Sequence, residues 1–399
     1  MIDDDLGALI DLLHLPAVGP SRLRWLTTER KPSEVLGALQ AGHLPAELDE
    51  PPRGVTADLV QRWVDESRKE IPNERLKRHR ASGVGMLWPG HRLWPFADDP
   101  DPPCLVFFLG DAQLAISRPL VAIVGTRRCT TVGRRVARQI AAELAAPRSD
   151  GRSIGIVSGL AAGIDAEAHV GAVDAGGPVI GVVACGLDVP YPKSNEQLWN
   201  TVAERGLLLT ESPLGASPER WKFPARNRLI AGLADLVVVV ESHHSGGALS
   251  TVDEAALRGV TVGSVPGSVL SSASEGSNSL LVEGCPPVRS AKDVVGILGL
   301  PEESPDGVDK IGQSSTIPAD RVDRPLVVGK HLNDIERGVF EATLGGPIHL
   351  DQLLRGLKGT RPEILAAIQR LVAVDLLAME GARVTLAVEG SSQLRLGHP

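Results

Sequence analysis

Two arginine-rich runs carry the chemistry of this sequence. From Arg118 to Arg138 stand six arginines and no acidic residue, and from Arg220 to Arg228 four basic residues and no acidic one. The first run holds the short loop Gly125-Thr-Arg-Arg128 between the apolar stretch Val121-Ala-Ile-Val124 and a helix expected from about Gly133 to Ala146. A helix N-terminus leaves backbone N–H groups unpaired and carries the positive end of the helix dipole. Arg127 and Arg128 beside it therefore predict an anion site suited to phosphate. In the second run Asn227 favours a turn between Arg226 and Arg228, which would aim both guanidiniums at one row of phosphates. Phe223 offers a ring for base stacking, worth about 1–3 kcal/mol per base in single-strand binders. Trp221 and Phe223 have the competing use of core anchors. With six tryptophans, five phenylalanines and one tyrosine in 399 residues, two rings inside a basic loop favour at least one exposed stacking platform.

Other residue pairs invite chemistry and fall short of it. Asp165 and His169 stand four apart on an expected helix and share a face, as an acid–base or metal pair would. The simpler expectation is that Asp165 satisfies N–H groups near the helix start while His169 packs. His243-His244 has no third ligand at metal spacing and reads as a surface loop. A dinucleotide site asks for G-x-G-x-x-G after the first strand, and a nucleoside triphosphatase for G-x-x-x-x-G-K-[ST]; the loop from Gly125 to Gly133 has neither. No catalytic residue, metal or cofactor is expected, which leaves the basic loop to the backbone phosphate of a polymer.

The elements that must position these loops are short apolar runs: Val121–Val124, Ser153–Ser158, Val179–Ala184, Leu207–Thr210, Asp235–Val240 and Val260–Val265. They are apolar on both faces and mostly separated by helical or glycine-rich stretches, one helix starting at Gly163. A parallel sheet covered on both sides reads this way. The expected fold class is α/β, a Rossmann-like doubly wound, mostly parallel sheet. Its ligand would sit beyond the carboxyl ends of the strands, where the loops after Val124, Val157, Ala184, Thr210, Val240 and Val265 converge.

Around this core the chain predicts four segments. Residues 1–70 form a helical domain, with apolar stripes at Leu6, Leu9, Ile10 and Leu13 and at Leu59, Val60, Trp63 and Val64. The turn Leu15-Pro-Ala-Val-Gly-Pro-Ser-Arg-Leu23 resembles a helix-hairpin-helix, but the segment holds 13 acidic against 8 basic residues, which points to structure or protein contacts ahead of DNA. Residues 71–300 hold the sheet, approached through the proline-rich Asp98-Asp-Pro-Asp-Pro-Pro103 and an added strand, Cys104–Leu109. Residues 301–332 read as a linker. Residues 333–399 predict helices over 333–344, over 350–357 and from Thr360, where Glu363 completes a capping box and Pro362 suits the first turn. Leu376–Glu380 and Arg383–Leu386 flank Gly381-Ala382 as two strands around a wing, so the plan is a C-terminal winged-helix domain, suited equally to DNA or to protein docking.

Composition bounds the rest. A chain 43% hydrophobic and 23% charged is an ordinary globular one of two or three domains. No apolar run reaches the roughly 18 residues of a membrane span, and the start, Met1-Ile-Asp-Asp-Asp5, lacks a basic signal-peptide region. Cys104, Cys129, Cys185 and Cys285 form no C-x-x-C pair, so the cytoplasm is the expected compartment. A net charge of −8 argues against nonspecific coating of nucleic acid while leaving room for a focused basic cleft.

The central segment also resembles a known family. Its motifs, in order, are Ile123-Val-Gly-Thr-Arg127, then Val157-Ser-Gly-Leu-Ala-Ala-Gly-Ile-Asp165 with His169, then Gly186-Leu-Asp-Val-Pro-Tyr-Pro192 with Asn195. They continue with Phe223-Pro-Ala-Arg-Asn-Arg-Leu-Ile-Ala-Gly232, Ser245-Gly-Gly-Ala-Leu-Ser-Thr251 and Val265-Pro-Gly267. Together they resemble the DNA-processing DprA (Smf) family over residues 70–300, and the flanking units resemble those of its longer members. One departure is Gly247-Ala248, where members more often read S-G-S-L.

The resemblance implies a cytoplasmic homodimer, not known as an enzyme, that binds and protects incoming single-stranded DNA, displaces single-strand-binding protein and loads the recombinase RecA in natural transformation. Carried onto this sequence, it implies DNA contacts at Gly125, Thr126, Arg127 and Arg128, and at Ser158, Gly159 and Leu160 in a second loop. It implies others at Lys193, at Arg220, Lys222, Phe223, Arg226, Asn227 and Arg228, and at Gly246 and Gly247. The competing class is a Rossmann-like nucleotide-glycosidic hydrolase with P-G-G-x-G-T-x-x-E. Ser245-Gly-Gly-Ala-Leu-Ser-Thr-Val-Asp253 lacks the second glycine-to-threonine step and the glutamate, which disfavours it.

Overall fold

The computed structural model describes residues 3–301, apart from 46, 47, 49, 70, 72, 149 and 150, and parts of 334–386. Two compact units divide the chain, Met1–Gly307 and Val308–Pro399. The first is built on one eight-stranded sheet: β1 (Gly85–Leu87), β2 (Val106–Gly110), β3 (Leu120–Val124), β4 (Gly155–Ser158), β5 (Val179–Val182), β6 (Leu207–Thr210), β7 (Leu236–Val239) and β8 (Thr261–Ser264). Their order is β1-β2-β6-β5-β4-β3-β7-β8. Strands β3 to β8 run parallel, as their two-sided apolar runs predict. The added strand β2 joins antiparallel to β6, with Phe107 opposite Thr210. Only β1 was illegible, because three residues on an edge are too few to show a period.

Helices cover both faces, which is why every residue of β3 to β7 is buried. One core sets Val121 and Ile123 against α6 (Thr131–Ala145) and α7 (Ile164–Asp174). The other sets Ala122 and Val124 against α9 (Lys222–Leu233) and α10 (Leu249–Leu257). The remaining helices of this part are α8 (Glu196–Arg205), α11 (Glu275–Val282) and α12 (Ala291–Ile297). Because β3 lies between β4 and β7, the chain reverses its direction of winding there, and the loops after β3 and β7 open a crevice between them.

The two N-terminal stripes become α1 (Asp3–Leu13) and α4 (Ala57–Ser67); α2 (Pro20–Thr27) opens at the Gly/Pro turn, α3 (Pro32–Ala41) lies between, and α5 (Glu74–Ala81) is a helix in the segment read as an approach to the sheet. Trp63 is fully buried among them, and its indole N–H donates to the Pro16 carbonyl at 2.8 Å, tying α4 to the turn before α2. These helices share a continuous apolar core with Met86, Phe107 and Leu208 of the sheet. Among the described residues no helix is long and apolar enough to cross a membrane.

The second unit contains α13 (Asp334–Thr343), α14 (Leu350–Gly356), and an antiparallel sheet of β9 (Ile348–His349), β10 (Leu377–Glu380) and β11 (Arg383–Leu386) in the order β10-β11-β9. Val339, Phe340, Leu353 and Ile364 meet in its core. The proposed capping box at Thr360 and Glu363, the wing turn at Gly381-Ala382 and nearly all of the linker lie outside the described residues.

Candidate nucleic-acid interface

The crevice at the switch point is a cleft of about 560 Å³. Its floor is the loop after β3. Gly125 is required there, because a Cβ would press on Ile164 at 2.6 Å and on the Glu241 carbonyl at 2.8 Å. The Thr126 amide donates to that carbonyl at 2.8 Å, and the Thr126 carbonyl accepts from the Ile164 amide at 3.4 Å. The loop is thus clamped on two sides, and Arg127 and Arg128 stand exposed at the rim. Neither makes an ion pair among the described residues, whereas Arg118, Arg134 and Arg138 of the same run pair with Asp235, Glu167 and Asp174. The Arg127 guanidinium lies 4.7 Å from the centroid of the Phe223 ring, which also meets Tyr191 at 5.6 Å.

The N-terminus of α6 corrects the expectation of a free anion site. Thr130 caps the helix by accepting from the Gly133 amide at 3.0 Å, and a carboxylate already sits there. Glu241, from the loop after β7, accepts from the Thr130 amide at 2.8 Å and from the Thr130 hydroxyl at 2.6 Å. Glu241 is buried and lies against Gly133. Sequence reasoning missed it; the available signal was an acidic residue directly after a buried strand.

The second basic run needs a larger correction. Residues 222–233 form α9, not a turn around Asn227. Residues two positions apart on a helix point about 200° apart, so Arg226 and Arg228 cannot face one row of phosphates. Arg226 runs under the cleft, is 7% exposed, and donates to the carbonyls of Gly159 (2.8 Å) and Val182. Arg228 points the other way and is 5% exposed. It donates to Glu211 at 2.5 Å and to the Asp101 carbonyl at 2.6 Å. Asn227 bridges to the next helix through Ser250 at 2.6 Å. At the start of α9, Trp221 is exposed, Lys222 pairs with Glu219 at 2.9 Å, Arg220 is exposed and Phe223 is half-buried.

The loop after β4 is framework. The Ser158 hydroxyl is buried and donates to the Ile123 carbonyl at 2.6 Å. Leu160 is buried in a left-handed conformation (φ 52°), its carbonyl held by Asn195 at 3.0 Å. A side chain at Gly159 would collide with the Arg226 guanidinium and the Asp165 carboxylate, so glycine keeps these two charges in register. Gly159 also borders a 150 Å³ recess with Arg127, Tyr191 and Phe223, and Lys193 is exposed two residues beyond Tyr191.

Asp165 lines the cleft and accepts from the Gly159 and Ala161 amides; burial pushes its carboxyl up to about 6 against the pull of Arg226. The same burial pushes Arg226 down to about 10. His169 packs behind β5, bonded through Nε2 to the Ile180 carbonyl at 3.1 Å, and burial lowers it to about 4, so it is neutral. The far wall is the start of α10: Gly246, Gly247, Ser250 and Thr251, with His243 and Ser245 before them. Asp253, which stands where the glycosidic hydrolases have glutamate, is exposed and outside the cleft lining. Among the described residues no cluster has the makings of a metal site.

Known proteins share this architecture and sequence. Residues 86–299 match the model of DNA recombination-mediator protein A. The chain is 39% identical to the DNA processing protein DprA of Streptococcus pneumoniae over 202 residues, covering 51% of this chain and 69% of that protein. It is 36% identical to a putative DNA processing protein DprA of Mycobacterium tuberculosis over 293 residues, covering 73% and 70%. The X-ray structure of the Streptococcus pneumoniae protein superposes with a TM-score of 0.57 at 28% identity, covering 74% of this chain and 98% of that one. The chain therefore belongs to the DNA recombination-mediator protein A family, also called DprA or Smf, and has a DNA-processing role in recombination.

Proposed function

We propose that the protein binds single-stranded DNA along the rim of the switch-point cleft, and that it acts by binding, not by catalysis. One observation carries this reading: Arg127 and Arg128, in no ion pair among the described residues, stand at the mouth of the cleft with the half-buried Phe223 ring against Arg127. Cations supply sequence-independent attraction to phosphate, and a ring supplies a face that any base can use. Lys193 and Arg220 add exposed cations to the proposed surface, Lys222 is held there by Glu219, and Gly246 and Gly247 let a backbone approach the start of α10. Ser158, Leu160, Arg226, Asn227 and Arg228 hold these parts in place.

In the wider process the protein protects incoming DNA in the cytoplasm during natural transformation. As a homodimer it takes over strands from single-strand-binding protein and loads RecA. The family resemblance supports these steps. Titration of labelled oligonucleotides, single-stranded against double-stranded at matched length, tests the central claim: equal affinity for both forms overturns it. Incubation with nucleoside monophosphates tests the binding-only reading, because protein-dependent release of free base would make the cleft that of a hydrolase.

A further inference from the structure

We propose that Glu241 is a built-in anion that closes the N-terminus of α6 to phosphate and so excludes small nucleotides from the switch point. In doubly wound sheets the helix following the first strand at the switch point is where a pyrophosphate docks, on free N–H groups at the positive end of the dipole. Here that strand is β3 and that helix is α6, and a carboxylate of the chain itself already stands at the N-cap. The Glu241 carboxylate takes the Thr130 amide at 2.8 Å and the Thr130 hydroxyl at 2.6 Å. It lies so close to Gly133 that a Cβ on that residue would overlap it. The glycine that would elsewhere admit a pyrophosphate admits a carboxylate.

The plug is held by its own backbone. The Glu241 carbonyl accepts from Thr126, and its neighbour Ser242 is tied through its carbonyl to the Gly276 amide at 2.7 Å in the first turn of α11. The side chain therefore enters from a fixed strand end and is 6% exposed. A second anion brought to the same helix start would meet this buried charge. The dipole that would attract it is already compensated. Free nucleotides lose their main anchoring point, while a polymer held by several phosphates along the rim does not need it. Glu241 is thus a specificity-determining residue for the cleft.

This inference rests on the cleft being a phosphate-binding site, and its test separates the two claims. Inorganic pyrophosphate is titrated calorimetrically into the full chain as wild type, Glu241→Ala and Glu241→Ser, both of which remove the carboxylate from Thr130. Anions bound by Arg127 and Arg128 contribute equally to all three. Both variants are expected to bind pyrophosphate about tenfold more tightly than the wild type, the gain of an anion at an unshielded helix start. Affinities within twofold of the wild type overturn the proposal. If neither variant folds alone, recovery of folding on adding pyrophosphate supports the proposal through linkage, and no recovery overturns it. Oligonucleotide binding by the wild type is scored separately: its absence refutes the DNA reading, whereas an unchanged pyrophosphate response refutes the role of Glu241.

Discussion

On the proposed reading Arg127 would hold a strand by charge and Phe223 by stacking, and the two side chains touch each other. Arg127→Ala should lower single-strand affinity and make the slope of log K against log salt shallower by about 0.7, the contribution of one phosphate contact. Phe223→Ala should cost about 1–3 kcal/mol of binding with the slope unchanged. The guanidinium sits 4.7 Å from the ring centroid, so the double variant should lose less than the two single losses combined. Binding isotherms at several salt concentrations check all three, and an unchanged slope for Arg127→Ala removes the phosphate contact. Arg226 behaves differently. It is buried beside Asp165, so Arg226→Ala should destabilise the fold by about 3–5 kcal/mol, the cost of stranding a buried charge. Denaturant melts decide this, and full stability in that variant would mean the guanidinium is free to meet DNA.

At the scale of elements, the proline-rich stretch before β2 is a clasp on the two helices that wall the cleft. Asp99 accepts from Arg258 at the end of α10 at 2.8 and 3.0 Å. Asp101 accepts from Arg24 of α2, and its carbonyl takes Arg228 of α9. Asp99→Ala should therefore weaken oligonucleotide binding by loosening α10 while leaving the salt slope intact, since no phosphate contact is lost. A shallower slope would place Asp99 in the binding electrostatics instead. Glu211 closes the network, and burial pushes its carboxyl up to about 7 from an ordinary 4.5, against the pull of Arg228 and Arg24. A folded-state value above the unfolded one means that the folded protein takes up the proton first. The stability due to this group grows as the pH falls from 7 toward 4.5 and is lost as it rises. The stability of the wild type relative to Glu211→Gln should increase over that window. Parallel denaturant curves at pH 7.5 and about 5 check it, and a constant difference would show Glu211 ionised throughout.

For the whole molecule, the N-terminal helices and the sheet share one apolar core and the Arg24 link to Asp101. Residues 1–301 should fold and bind single strands alone. Residues 71–300, stripped of α1 to α4, should melt at a lower temperature. Equal melting temperatures would make the helical segment an independent appendage. Deleting residues 333–399 should alter affinity for duplex DNA or for a protein partner more than for single strands, because the rim residues all lie in the first unit. An equal loss for both forms of DNA would count against that division. Sedimentation of the full chain at micromolar concentration tests the homodimer, which a monomer would exclude.

The sequence by itself determined the sheet, because burial on both faces forces unbroken apolar runs such as Leu236–Val239 that no other element in this chain needs. The glycine turn after β3 and the pair Arg127 and Arg128 beside it were also legible, whereas the reason Gly125 has no room for a Cβ, the approach of Ile164 and Glu241, was not. Tertiary structure decided which charges are free. Arg226, Asn227 and Arg228 have the composition of a turn, yet the apolar Leu229, Ile230, Ala231 and Leu233 that follow are all buried and draw the whole segment into α9. Glu241 and Thr130 are 111 residues apart, so no local pattern reveals that the carboxylate fills the helix start. Local periodicity records which faces are buried; partners brought together by the sheet order decide which charges remain for a ligand.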